Sequence, residues 1–240
     1  MAKEAGLNVR LYVSGYDLSG DANSLGAVGY TNEQYEVATL DSSAQARLLG
    51  KADGTLTVNG FFDNAANKIH AVLSGNSGKI PTADVNVLVP LSSAAGDPCY
   101  GLVAKEAEYN TERSDTGPLT VYSSFASTGY APQFGEMLTT HQDTAASGTV
   151  NSAVVDSGAS SSNGASGFLQ VFSVASGTPT IKVQHATSSG GTYSDLVSFT
   201  AVTDRTSEYK EVTGTVNRYL RYNVTGTYSN VVFAVGLSRS

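Results

Sequence analysis

Tryptophan is absent from this 240-residue chain, and cysteine occurs once. The single thiol, Cys99, excludes an internal disulfide framework. No histidine stands near it in sequence, so a buried structural role is expected rather than a reactive one. The three histidines, His70, His141 and His185, are far apart and lack metal-ligand spacing. No apolar stretch approaches the roughly 18 residues of a membrane-spanning helix. The opening Met1-Ala-Lys-Glu-Ala-Gly6 is polar and lacks an apolar signal segment, which leads us to expect a chain that is cytosolic when made. There is no Gly-x-Ser-x-Gly elbow, and nothing pairs a nucleophile with a base, so an enzyme is the least favoured class.

What the chain has instead is alternation. Phe168–Val174, Thr180–His185, Asp195–Thr200, Arg218–Val224 and Asn230–Leu237 each switch between apolar and polar residues, with turn residues between them. A period of two sends one side-chain set to a core and the other to water or a neighbour. Thirteen Tyr and eight Phe suit half-buried pleated surfaces, and 25 Gly fit many short strands joined by turns. The length allows one large β domain or two small ones.

Earlier in the chain, Asn8–Ser14, Tyr35–Leu40, Ala46–Leu49, Thr55–Phe62, Asp84–Leu91, Cys99–Tyr109, Leu119–Phe125 and Gly135–His141 read as strands. Asp53-Gly54 reads as a turn pair that makes a hairpin with the strand after it. Asp63 is placed as the N-cap of a helix of about ten residues, with Ala65, Ala66, Ile69, Val72 and Leu73 on its apolar stripe and Gly75 closing it. Pro90 suits an edge or a strand end. The small, polar stretch from Asp156 to Gly167 is expected to be a flexible connection or exposed loop, which places a domain boundary within 143–167.

Charge is unevenly spread. Residues 1–145 hold 8 Lys and Arg against 16 Asp and Glu, and residues 146–240 hold 6 against 5. An acidic half argues against gripping nucleic acid, which needs clustered cations, but not against nucleic acid passing close by.

Each motif that suggests chemistry has a plainer reading. Asp17–Asn23 alternates oxygen side chains as a calcium loop does, but its central glycine and closing glutamate are misplaced, which favours a turn network. Gly75-Asn-Ser-Gly-Lys79 resembles a phosphate loop only faintly and reads as a surface turn. Glu106 and Glu108 fall two apart on a strand and should share a face as solvated charges. Lys182, Arg218 and Arg221 read as interspersed surface charges or as part of an interface rich in Arg and Tyr. Asn223-Val-Thr225 matches a glycosylation sequon.

The order of motifs resembles the major tail tube protein of long, non-contractile-tailed bacteriophages. The resemblance rests on Gly15-Tyr-Asp-Leu-Ser-Gly20, Asn23-Ser-Leu25, Tyr35-Glu-Val-Ala-Thr39 and Gly54-Thr-Leu-Thr-Val-Asn-Gly-Phe-Phe-Asp63 followed by a short helix. Ile181–Ala186, Asp195–Val202, Val212–Arg221 and Val232–Leu237 are similar to the β domain appended to many such proteins.

The resemblance implies a mainly β chain. Residues 1–150 would be a tail-tube-like β-sandwich or barrel with one flanking helix, 151–167 a Ser/Gly-rich connection, and 168–240 a C-terminal β-sandwich. It implies a structural virion protein of the tail, made and assembled in the bacterial host cytoplasm. Copies would form rings, six-fold in most of the family, that stack into a conduit for the genome. The partners implied are further copies, the tail-tip, tape-measure and terminator proteins, and DNA that passes without specific binding, with no membrane. It implies no cofactor, no metal and no catalytic residue. The competing readings are a capsid decoration or other virion surface protein, and a carbohydrate-binding module using Tyr193, Tyr222 and Tyr228.

Overall fold

The computed structural model describes residues 8–26, 28–41, 43–75, 83–113 and 115–240. The opening six residues and most of the Gly75–Lys79 motif lie outside them. The strands in chain order are β1 (Tyr12–Val13), β2 (Tyr16–Asp17), β3 (Ala22–Leu25), β4 (Gly29–Glu36) and β5 (Arg47–Phe61). After helix α1 (Ile69–Leu73) come β6 (Val85–Pro90), β7 (Pro98–Arg113), β8 (Leu119–Ser127), β9 (Gln133–Met137) and β10 (Asp143–Ala145). The rest are β11 (Val150–Asn151), β12 (Val155–Asp156), β13 (Ala165–Gly177), β14 (Thr180–Ala186), β15 (Ser194–Ser198), β16 (Thr206–Val212), β17 (Tyr219–Thr225) and β18 (Tyr228–Arg239). Every pairing between them is antiparallel, so the protein is mainly β, with one short helix among the described residues.

The alternating pattern explains how these strands stack. In β13, Leu169 and Val171 face one way and join Ile181, Val183, Val197 and Leu220 of the five-stranded sheet. Phe168 and Phe172 face the other way and meet Tyr12, Leu88, Cys99 and Met137. β18 divides in the same manner, with Phe233 and Val235 on the first side and Ala234 on the second. β1 and β6 repeat the device one layer further on: Tyr12 and Leu88 point into the middle core, while Val13, Val85 and Val87 point into a third. That third core is closed by Leu56 and Val58 of β5, Val121 and Phe125 of β8, and the helix residues Ile69, Val72 and Leu73. Three apolar layers therefore lie between four walls of backbone, and the two inner walls are apolar on both faces.

The larger sheet runs continuously as β4–β5–β8–β7–β9–β18–β13–β16. Strands from both sides of residues 151–167 belong to it, joined where β9 pairs with both β7 and β18. The buried Gln170 amide ties the two parts again: its oxygen accepts from the Gly15 N–H at 2.6 Å, and its nitrogen donates to the Asn86 carbonyl at 2.8 Å. The stretch read as a flexible connection or exposed loop is paired in part. Val155–Asp156 forms a strand on β17, Ser161 bridges Val216, and Ala165–Gly167 is the buried start of β13. Between these pairings Gly158–Ser160 and Ser162–Asn163 are exposed and outside any strand, as an exposed loop is.

Three local expectations are corrected. Asp53-Gly54 is not a turn: both residues sit inside β5, opposite Thr31 and Tyr30. The glycine is needed because a Cβ there would lie 2.4 Å from the Pro132 ring, a close approach rather than a reversal. The helix has five residues rather than ten, because Asn67 adopts φ +67, which breaks the right-handed path just before it. Asp63 caps only the turn at Ala65, and the helix donor Ile69 N–H is taken by Asp21, 48 residues away. Glu106 and Glu108 do not share a face, since a bulge between them shifts the register, half-burying Glu106 and leaving Glu108 exposed.

Candidate assembly surfaces

Among the described residues β4 pairs only with β5, from Gly29 opposite Thr55 to Glu36 opposite Arg47, and β5 has no other strand partner before Thr55. Val37 N–H to Ala46 C=O at 2.8 Å prolongs the ladder. This two-stranded arm extends past the body, and neither of its faces covers a core. Tyr30, Tyr35, Val37, Leu48 and Leu49 are exposed along it, and Leu40 at the tip is fully exposed. An isolated hairpin is marginal in water, and clustered exposed apolar side chains mark contact surfaces. The sequence reading missed the arm. The signal was available in Gly29–Glu36, where Gly-Tyr-Thr-Asn-Glu-Gln-Tyr-Glu offers no apolar face able to bury itself.

The arm's outer strand is one end of the long sheet, and β16 is the other. Among the described residues each pairs with a strand on one side only: β4 with β5, and β16 with β13. Such edges present free N–H and C=O groups for pairing with another chain.

The solvent side of β5, β8 and β7 is polar. Thr57, Ser124 and Glu108 form one cross-strand row, Asn59, Tyr122 and Asn110 the next, and Phe61, Thr120 and Glu112 a third. Asn110 donates to Glu108 at 2.5 Å, and the Thr120 hydroxyl donates to the Glu112 carbonyl at 3.1 Å. Lys105, next to these rows, is paired with Asp84 at 2.9 Å.

Behind this face, burial pushes the Glu106 carboxyl up to about 7, partly opposed by the Ser123 hydroxyl that donates to it at 2.7 Å. Glu106 raises in turn the neighbouring Tyr109, which burial first pushes to about 12. The Tyr109 hydroxyl is 2.7 Å from His70 Nδ1.

The other candidates resolve into structural roles. Asp17 accepts from the Ser19 N–H and hydroxyl and from Gln142, and Asp21 pairs with Lys68 and caps Ile69, which makes the turn network. No group of three or more His, Cys, Asp or Glu suited to a metal occurs among the described residues. His141 Nε2 lies 2.9 Å from the Asn8 carbonyl, and His185 Nδ1 accepts from Asn217 N–H. Cys99 is buried, and its thiol is pushed up to about 12 by burial, then by Glu136.

The three cations each have a partner on this chain. Arg218 grips Asp156 with two bonds of 2.6 and 2.7 Å, holding that carboxyl down at about 2. Lys182 meets Asp195 at 2.6 Å, and Arg221 lies 4.1 Å over the Tyr193 ring. Tyr222 and Tyr228 are buried. The sequon residue Asn223 is also buried and donates to Asn151. No described helix is long and apolar enough to cross a membrane.

No protein-family model matches the chain, and no curated protein does. Solved structures do. A chain of a native gene transfer agent virion is 13% identical, covering 55% of this chain and 98% of its own length at a TM-score of 0.42. A chain from the sheath/tube terminator of an extracellular contractile injection system is 6% identical, covering 56% and 97% at 0.45. A chain of the phage p2 baseplate is 8% identical and covers 95% and 97%, at 0.35. With scores below 0.5, these likenesses leave the chain's own geometry to decide its function.

Proposed function

We propose that the chain is a structural component of a phage-type tail that polymerises head to tail into rings stacked as a tube. The observation that carries this reading is the long sheet whose two end strands, β4 and β16, each lack a second strand partner among the described residues, one of them borne on an arm bare on both faces. Unlike edges on one molecule make a heterologous contact, and such contacts close into rings or continue as filaments. The motif order set out above supports the tail assignment within that class.

In this reading the polar rows carrying Glu108 and Glu112 face the passage. They offer acid and hydroxyl groups with no cation cluster, so a phosphate backbone finds nothing to hold. The chain performs no catalysis, holds no cofactor, and meets tail-tip, tape-measure and terminator proteins at the tube ends in the virion. The carbohydrate reading is weakened because two of its three tyrosines are buried.

Negative-stain microscopy and sedimentation of the purified protein across concentrations test the proposal. Rings or tubes are expected. A chain that stays single at every concentration, or that turns over a substrate, overturns it.

A further inference from the structure

A groove of about 360 Å³ opens between the 128–133 segment and β16. Gly101 and Phe168 line its floor, and Tyr130 and Tyr209 its walls. The floor is tight: a Cβ at Gly101 would lie 2.3 Å from the Phe168 ring. Gln133 donates to the Tyr209 hydroxyl at 3.1 Å, which fixes one wall, and Glu211 stands on the rim. Tyr130 is 62% exposed, so an aromatic face looks outward with nothing from its own chain over it.

We propose that this groove receives the arm tip of a second copy, with Leu40 and its neighbours Val37 and Leu48 as the seated side chains. The inference rests on the self-assembly reading and adds the site. The chain's own tip cannot fill the groove. The base of the arm abuts it, since Gly54 packs on Pro132, one residue from Gln133 in the lining. From Gly54 the strand runs outward for eight residues to Ala46, about 26 Å at some 3.3 Å per residue. Each molecule thus holds an apolar tip and an apolar cleft about one arm length apart, which fits a copy displaced by that length. Arg47, exposed beside the tip, complements Glu211 on the rim. The entering aliphatic side chains would desolvate Tyr130 and Tyr209, and tyrosines and arginines are the residues that most often dominate such contacts.

The test uses the full chain with Leu40→Asp, Tyr130→Glu, and the double variant Leu40→Cys/Tyr130→Cys. Both replaced residues are exposed, so unfolding midpoints should match the wild type. Each charged variant should raise the concentration needed for assembly by about tenfold or more. Mixed together, the two charged variants should give a discrete two-chain complex, because the Tyr130→Glu protein still offers a tip and the Leu40→Asp protein still offers a groove. Under oxidation the double-cysteine variant should form a ladder of linked chains, while buried Cys99 leaves the wild type unlinked. If the wild type never assembles, the self-assembly reading fails and this site falls with it. If the wild type assembles while both charged variants match it and no ladder forms, only the site is overturned, and the groove serves some other protein.

Discussion

The β13–β18 pair and the β4–β5 arm are both antiparallel ribbons with extensive ladders, yet they sit at opposite extremes. From Ala165 to Phe172 every residue of β13 is buried, because each face meets a core. From Tyr30 to Asp53 every described residue of the arm is exposed or half-exposed. The two ribbons thus differ in side-chain burial and also in backbone pairing, since β13 has a strand on each side and β4 on one. The first is held by its own chain on both sides. The second has a strand partner on one side only and no apolar core on either face, which is why the proposed assembly is placed there.

The largest expected effect breaks the comparison at its buried end. Phe168→Ala removes a ring wedged against Gly101 and Tyr209, and should cost about 3–5 kcal/mol. Chemical denaturation of the unassembled protein would read it, and a loss under 1 kcal/mol would deny the wall its role.

A middle-sized effect sharpens the comparison where β7 passes between walls. Because burial raises the Glu106 carboxyl to about 7 in the folded state, the folded protein holds that proton more tightly than the unfolded chain. The contribution is full below the ordinary carboxylate range and fades as pH rises through about 7. Glu106→Gln should flatten that part of the stability-against-pH curve. Parallel curves for variant and wild type would show the carboxyl to be freely solvated.

The smallest effect belongs to the arm. Leu48→Ser should leave monomer stability within about 0.5 kcal/mol, as exposed positions do, while delaying assembly in a light-scattering assay. A large loss of monomer stability would mean the arm packs on its own body.

The C-terminal strands were legible in the sequence because each carries its own alternation, and Phe168–Val174 and Asn230–Leu237 fall inside β13 and β18. Which face met which core was not legible. When both faces of Phe168–Phe172 are buried, the pattern marks alternation without saying that two cores lie across it. Asp53-Gly54 misled because a glycine that admits Pro132 looks, locally, like one that reverses the chain. Asn67 carries a left-handed backbone that no stripe of Ala and Ile reveals, and the Glu106 bulge exists only in relation to β8. The groove beside Tyr130 had no signature at all, being assembled from β7, the 128–133 segment, β13 and β16.

The carboxylate of Asp21 reaches across from the turn before β3 to hold the first N–H of α1. Five residues cannot pay the nucleation cost of a helix in water. The helix therefore depends on a contact 48 residues away rather than on its own length, so its order is tied to that of the strands that hold Asp21 in place.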